Sequence, residues 1–449
     1  MAQTDSTQSA SPPLEEMARA TLDQNWRGGY TVPSPRLYPF QWNWDSGFIA
    51  LGQAYYRPER AMEEIRNMFK GQWRNGMLPH IVFHRPDPNY FPGPEVWKTG
   101  GLAQSAEGVA TSGITQPPVF AFIIERIAQT TLGESAEWDA FLREIYPKIL
   151  AQHRYLYTHR DPQEEGLVYI QHNWEAGTDN SPAYDAALDA IDVTGFRDVS
   201  SLRRDVKNVD ALHRPTNANY QRYIYLVDLF IECGYRDDVI AQRSPFLVQD
   251  VLFNSMLVRS NRALITLARR IGADSSEIEG WNARTTAAIN RKLWDEHAGF
   301  YYSYDLRQER RIQVRTSSGF MPMFAGVCNA GQRERLVTQL TKSFVAGPAG
   351  KLCTSTATDE PTFDPVKYWR GPIWINVNWM LYLALHEQGL AELAARVKRE
   401  TLDLLQSHGM WEYFDPRSSR SAGAVGLGTD GFSWSAALAL DLIRNPVPL

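Results

Sequence analysis

Gln41-Trp42-Asn43-Trp44-Asp45-Ser46-Gly47-Phe48-Ile49-Ala50-Leu51-Gly52-Gln53-Ala54-Tyr55-Tyr56 passes from a loop of Trp, Asn and Asp straight into an apolar segment. From Ser46 to Tyr56 the hydrophobic residues keep helical spacing and no charge appears on any face. A helix without a polar face is buried all round rather than lying on a surface. The pattern recurs with Thr115-Gln116-Pro117-Pro118 before Val119 to Ala128, and with Phe253-Asn254-Ser255 before Met256 to Ile271. It returns with Tyr368-Trp369-Arg370-Gly371-Pro372 before Ile373 to His386, and with Gly428-Thr429-Asp430-Gly431 before Phe432 to Ile443.

Between these segments lie amphipathic, more highly charged stretches: Pro58 to Phe69, Ala136 to Tyr157, Ser276 to Trp294 and Ala391 to Ser407. Apolar and charged helices in alternation predict an all-α fold, an α/α toroid in which an inner ring is wrapped by an outer one. If every inner helix starts at the same end, the loop heads converge on one cavity and point free N–H groups into it. Three short β-like stretches, Leu167 to Asn173, Gly299 to Tyr304 and Met410 to Phe414, are expected as hairpins at the mouth. Two long Pro/Gly-rich segments, about 84–113 and 159–182, are expected as lid loops, since long loops in compact domains are usually functional. No change of composition marks a linker, so 14–449 reads as one domain behind a polar, disordered tail over 1–13.

Composition narrows the function. A net charge of −5 with dispersed basic residues gives no footprint for nucleic acid, and 43% hydrophobic content is that of a globular chain. No apolar run reaches the roughly 18 to 20 residues needed to span a bilayer, so no membrane partner is expected. Cys233, Cys328 and Cys353 form no CxxC and no short Cys/His spacing, so neither a metal nor another cofactor is expected. So few cysteines and no signal-like start fit the cytoplasm. Self-association is left open.

Two acidic segments carry the chemistry: Trp174-Glu175-Ala176-Gly177-Thr178-Asp179-Asn180-Ser181-Pro182 and Met410-Trp411-Glu412-Tyr413-Phe414-Asp415-Pro416. Each sets a carboxylate among aromatic rings, which stack on sugar faces and raise a carboxyl pKa toward the range where it donates a proton. Glycoside hydrolysis needs two such groups, and Asp179 and Glu412 are the candidates. Asp179 alone would serve as a turn cap, and Glu412 alone as a solvent-facing strand residue. Asp45 reads as the N-cap of its helix, free to turn one oxygen to a ligand, and Gln116 stands in the same position before Pro117 and Pro118. Trp42, Trp44, Trp174, Trp369 and Trp374 sit in or beside connectors, where an indole offers a face and an N–H. There is no GxSxG, HExxH or P-loop. Gly426-Leu427-Gly428-Thr429-Asp430-Gly431 matches GxGxxG, but the chain has no room after it for a dinucleotide fold, and a loop at the site's mouth is expected.

Tyr38-Pro39-Phe40-Gln41-Trp42-Asn43-Trp44-Asp45, His172-Asn173-Trp174-Glu175-Ala176-Gly177-Thr178-Asp179, Tyr368-Trp369-Arg370-Gly371-Pro372-Ile373-Trp374 and Trp411-Glu412-Tyr413-Phe414, in that order, resemble glycoside hydrolase family 63. The resemblance spans Leu22 to Ile443 and is strongest to the compact bacterial branch acting on α-glycosides of D-glycerate, with mannose or glucose as the hexose. It implies an (α/α)6 barrel and inversion, with Asp179 as general acid and Glu412 as general base, their carboxyls roughly 6.5–9.5 Å apart. Around the hexose it implies Trp42, Trp44, Asp45, Gln116, Trp174, Gly177, Tyr368, Trp369, Gly371 and Trp374. For a small-molecule glycoside with an anionic aglycone it adds Arg214 and Tyr220, from Leu212 to Tyr220, with Tyr38, His80 and Tyr90. Arg is the side chain best shaped to grip a carboxylate. An α-glucosidase on short neutral oligosaccharides is the alternative, and a sugar epimerase using a histidine pair, for which only His80 and His172 are placed, comes after it.

Overall fold

The computed structural model describes residues 13–133, 135–347, 350–417 and 426–445. Of the expected tail only Pro13 falls within them. Twelve helices among the described residues build the barrel: α1 (Leu14–Asn25), α2 (Asn43–Ala54), α3 (Pro58–Lys70), α4 (Phe120–Ile127), α5 (Ala136–His159) and α6 (Val251–Ile271) in its first half. The second half holds α7 (Ser276–Ala288), α8 (Met321–Phe324, lengthened by a 3-10 turn over Ser317–Phe320), α9 (Ala330–Ser343), α10 (Ile375–Glu387), α11 (Ala391–His408) and α12 (Ser433–Arg444).

Even-numbered helices form a closed inner ring: α2 packs on α4, α4 on α6, α6 on α8, α8 on α10, α10 on α12, and α12 back on α2. Odd-numbered helices cover them. α2, α8 and α10 are buried along nearly their whole length, whereas α7 and α9 bury a few positions each. The seam that closes the ring is tight, since a Cβ on Gly52 of α2 would lie 2.4 Å from the Ala437 Cα of α12. At the end away from the site, the buried Asp441 of α12 accepts from Tyr55 Oη at 2.7 Å, Arg126 Nη2 at 2.7 Å and Trp379 Nε1 at 2.7 Å. One carboxylate thus ties together the end of α2 with α4, α10 and α12.

Several boundaries differ from the sequence reading. Phe253-Asn254-Ser255 is not a loop head: α6 begins at Val251, because Asp250 caps it by accepting from the Phe253 N–H. Asp45 is not an N-cap: α2 begins at Asn43, with Trp42 in the cap position, and Asp45 lies in the first turn. The stretch Leu167 to Asn173 makes no hairpin, only a single bridge between Ile170 and Val248, followed by a 3-10 turn over Asn173–Ala176. Of the Gly299 to Tyr304 stretch, Phe300–Tyr301 pairs with Trp294–Asp295 and Tyr304–Asp305 with Val248–Gln249 and Arg310–Arg311. Of the Met410 to Phe414 stretch, Tyr413–Phe414 pairs with Gly426–Leu427. The segment 159–182 is buried from Gly166 to Thr178 and forms an inner wall, while 84–113 carries a short helix, Pro94–Trp97, and sends Tyr90 and Phe91 to the cavity rim. Between 183 and 250 the chain adds a cover that periodicity did not reveal, with the helix Asn217–Glu232 as its main element. Among the described residues no helix is long and apolar enough to cross a membrane.

Candidate active site

The loop heads of the inner helices α2, α4, α10 and α12 meet around two joined chambers. The inner one, about 350 Å³, is walled by Trp44, Asp45, Gly177, Trp369 and Glu412, with Phe432 and Trp434 at the head of α12. The outer one is walled by His80, Tyr90, Trp174, Arg214 and Tyr220. Tyr38, Trp42, Gln116, Asp179 and Tyr368 line both. Asp179 therefore stands where the chambers join, and Glu412 deep in the inner one.

Asp179 is placed by a rigid turn. Glu175, four residues earlier, receives Arg160 through two hydrogen bonds of 2.9 Å and the Gln171 N–H at 2.6 Å, which occupies both of its oxygens. That saturation assigns Glu175 to holding the turn and leaves Asp179 as the acid that faces the cavity. Gly177, at φ +74°, lets the turn lie against Trp44, where a Cβ would come within 2.6 Å of the indole. Asn173 Nδ2 then donates to the Asp179 carbonyl at 2.7 Å. Enclosure raises the Asp179 carboxyl to about 7, against the opposing pull of Arg214 and Tyr368.

Glu412 precedes the strand Tyr413–Phe414, and its N–H donates to the Thr429 carbonyl at 3.0 Å. Gly428 of the GxGxxG stretch, at φ +74°, presses against it: a Cβ would lie 2.3 Å from Glu412 Oε2. Glu412 is 1% exposed, and burial raises it to about 7, with Arg214 and Tyr38 pulling down and Asp179 pushing up. Tyr38 Oη donates to Oε1 at 2.8 Å, whereas Oε2 has no hydrogen-bond partner among the described residues. Glu412 lines the inner chamber, and its unpaired oxygen leaves the carboxylate with capacity to accept a proton there.

The two carboxyls do not touch. Tyr368 Oη donates to Asp179 Oδ2 at 3.2 Å and lies 3.3 Å from Tyr38 Oη, which bonds Glu412. End to end, these three spans keep Asp179 Oδ2 and Glu412 Oε1 within the roughly 9.5 Å upper limit that inversion allows. Arg214 Nη1 donates to Tyr38 Oη at 3.2 Å, and its guanidinium lies 4.3 Å from the Tyr368 ring centre. Asp205 accepts from both Arg203 and Arg214, and Arg214 Nη1 also lies 3.9 Å from Glu412 Oε1, so the guanidinium stands between two carboxylates on the wall of the outer chamber. Asp45 is buried and pushed well above the usual carboxylate range by desolvation. Its neutral form would both donate and accept toward sugar hydroxyls. Trp44 N–H donates to Gln116 Oε1 at 3.2 Å, orienting that amide.

Of the residues placed around the hexose from sequence, Trp174 lines the outer chamber alone, and two more stand back from both chambers. Trp374 stacks flat behind Trp369, with centroids 3.7 Å apart, and bonds the Tyr368 carbonyl at 3.1 Å. Gly371 is pressed on the Asp364 carbonyl, 2.3 Å from where a Cβ would be. Both are absent from the lining because an indole and a tight turn behind the first aromatic layer hold it in place. His172 is also outside the chambers, buried and bonded to the Tyr223 carbonyl at 3.0 Å, and desolvation lowers it to about 4. His80 is the histidine that lines them, so no histidine pair faces the cavity among the described residues.

Sequence reasoning missed Arg204, Asp205, Phe91, Phe432 and Trp434. Phe432 and Trp434 open the last apolar helix and carried the same signal as Trp42 and Trp44. Arg204 and Asp205 lie in the cover, where a mixed-charge loop gives no sign of burial. Among the described residues no group of His, Cys, Asp or Glu is arranged to hold a metal ion.

The model of the mannosylglycerate hydrolase MGH1-like glycoside hydrolase domain matches residues 38–435. A mannosylglycerate hydrolase from Thermus thermophilus is 45% identical over 420 residues, covering 93% of this chain and 98% of the relative. A glucosylglycerate hydrolase from Mycolicibacterium hassiacum is 33% identical, covering 96% and 98%. The crystal structure of a GH63 mannosylglycerate hydrolase from Thermus thermophilus in complex with Tris and D-glycerate superposes with a TM-score of 0.88 at 44% identity, covering 95% of this chain and 99% of that one. Sequence and barrel agree: the chain is a glycoside hydrolase of family 63 and belongs to its mannosylglycerate hydrolase MGH1-like group.

Proposed function

We propose that the chain hydrolyses an α-hexosyl-D-glycerate, mannosylglycerate or glucosylglycerate, to hexose and glycerate with inversion at the anomeric carbon. The observation that carries this reading is the division of the cavity at Asp179. A hexose in the inner chamber, against Trp44, Asp45, Gln116 and Trp369, brings its glycosidic oxygen to the junction. Asp179, protonated because enclosure raises its pKa to about 7, gives that oxygen its proton as the bond to glycerate breaks. Glu412, which lines the inner chamber, takes a proton from a water attacking the opposite face of the ring. The glycerate leaves through the outer chamber, where the Arg214 guanidinium and the Tyr220 side chain line its path and can meet its carboxylate.

A cytoplasmic setting, where small anionic solutes are held, fits this substrate. Asp179→Ala and Glu412→Ala should each abolish turnover while the protein stays folded; substantial activity in either removes the assignment. Arg214→Ala separates anionic from neutral aglycones. Loss of a charge-assisted hydrogen bond costs about 1.5–3 kcal/mol. The preference in kcat/KM for a glyceryl over a neutral α-glycoside should therefore fall by about tenfold or more. An unchanged preference contradicts the glycerate assignment.

A further inference from the structure

We infer that the hydroxyls of Tyr38 and Tyr368 form a proton-return relay that carries the proton gained by Glu412 back to Asp179 after each turnover. This rests on the inverting reading above. In that reaction the acid ends without its proton and the base ends with one, so the site must be reset before the next cycle. Glu412 is 1% exposed and closed off by Gly428 on one side and Tyr38 on another, which gives its proton a poor path to bulk water. The path through the protein is continuous: Glu412 Oε1 to Tyr38 Oη at 2.8 Å, Tyr38 Oη to Tyr368 Oη at 3.3 Å, Tyr368 Oη to Asp179 Oδ2 at 3.2 Å.

The relay has two self-consistent states. Before reaction, the Asp179 carboxylic acid donates to Tyr368, Tyr368 to Tyr38, and Tyr38 to the Glu412 carboxylate; a half-turn of the Asp179 carboxyl about Cβ–Cγ then presents its proton to the glycosidic oxygen. After reaction, Glu412 donates to Tyr38, Tyr38 to Tyr368, and Tyr368 to the Asp179 carboxylate. Passing from the second state to the first moves one proton along each of the three bonds. Each phenol gives one and receives one, and no charge remains on either ring. If water's proton arrives on Oε2, a half-turn of the carboxyl about Cγ–Cδ, a two-fold torsion, brings it to Oε1. Burial pushes both phenols well above their usual range, so they stay protonated and able to donate and accept at once. Arg214, donating to Tyr38 Oη at 3.2 Å, fixes the direction of that hydroxyl.

The test is Tyr368→Phe and, independently, Tyr38→Phe, each compared with the unaltered enzyme by rapid quench and in the steady state. Each variant should show a burst of about one equivalent of hexose followed by a steady state about tenfold or more slower than its own first turnover. Raising the concentration of a small proton carrier such as imidazole or formate should restore kcat and leave kcat/KM unmoved, because reset follows the first irreversible step. A first turnover and a steady state that fall together, or a burst that does not respond to the carrier, overturns the relay and leaves the tyrosines as positioning residues. Wild-type kcat in both variants overturns it equally. Failure of the underlying reading looks different: the hexose released first would be the retained anomer, or Asp179→Ala would still turn over.

Discussion

At the scale of the residue, the site turns on two carboxyls that burial raises into the same region, each to about 7. Interacting groups of this kind titrate as a pair, and the reactive form is the one holding a single proton. Below neutrality Glu412 gains a proton and can no longer act as base; above it Asp179 loses the proton it must donate. A bell-shaped kcat/KM profile centred near pH 7 is expected, each limb falling about tenfold per pH unit once past its pKa. Arg214 pulls both groups down, so Arg214→Ala should move both limbs to higher pH. A profile flat across neutrality, or one that shifts to lower pH in that variant, would contradict this electrostatic account. The two acids and the first aromatic layer were legible because their residue types are unusual in loops. The distinction between Trp369, which faces the chamber, and Trp374, stacked behind it, was not: both are indoles beside the same turn, and only packing tells a wall from its buttress.

At the scale of the element, helical periodicity marked α2, α3, α4, α5, the body of α6, α7, α10, α11 and α12, and missed what depends on distant partners. Whether Phe253 heads a loop or lies inside α6 is decided by Asp250, whose carboxylate also meets Tyr184 at 2.8 Å and Ser303 at 2.9 Å. The Asn173–Ala176 turn that carries the acid is held from the end of α5 by Arg160, which bonds Glu175 and, through Nε at 2.9 Å, Asp237. Arg160→Ala would strand two buried carboxylates. Breaking such a network by removing one partner costs about 3–5 kcal/mol. A clear drop in Tm with a parallel loss of activity is expected, since the turn positions Asp179. A variant with the Tm and activity of the unaltered protein would show that the turn is held by its backbone alone.

At the scale of the whole molecule, ring closure does the work that no local signal announces. α12 packs on α2 across nearly the full length of the chain, with Gly52 against Ala437, and that closure sets the Glu412 loop opposite the Asp179 turn. Alternating apolar and charged helices were enough to predict a toroid. The cover between 183 and 250, which brings Arg214 and Asp205 over the outer chamber, followed no such rule. The central claim is that folding sets two acids on opposite faces of one anomeric carbon. Proton NMR of the first product, recorded within minutes of mixing with mannosylglycerate or glucosylglycerate, tests it most directly. The account predicts that the β-anomer of the hexose appears first and then mutarotates; an initial α-anomer, or no hexose from either glycoside, would contradict it.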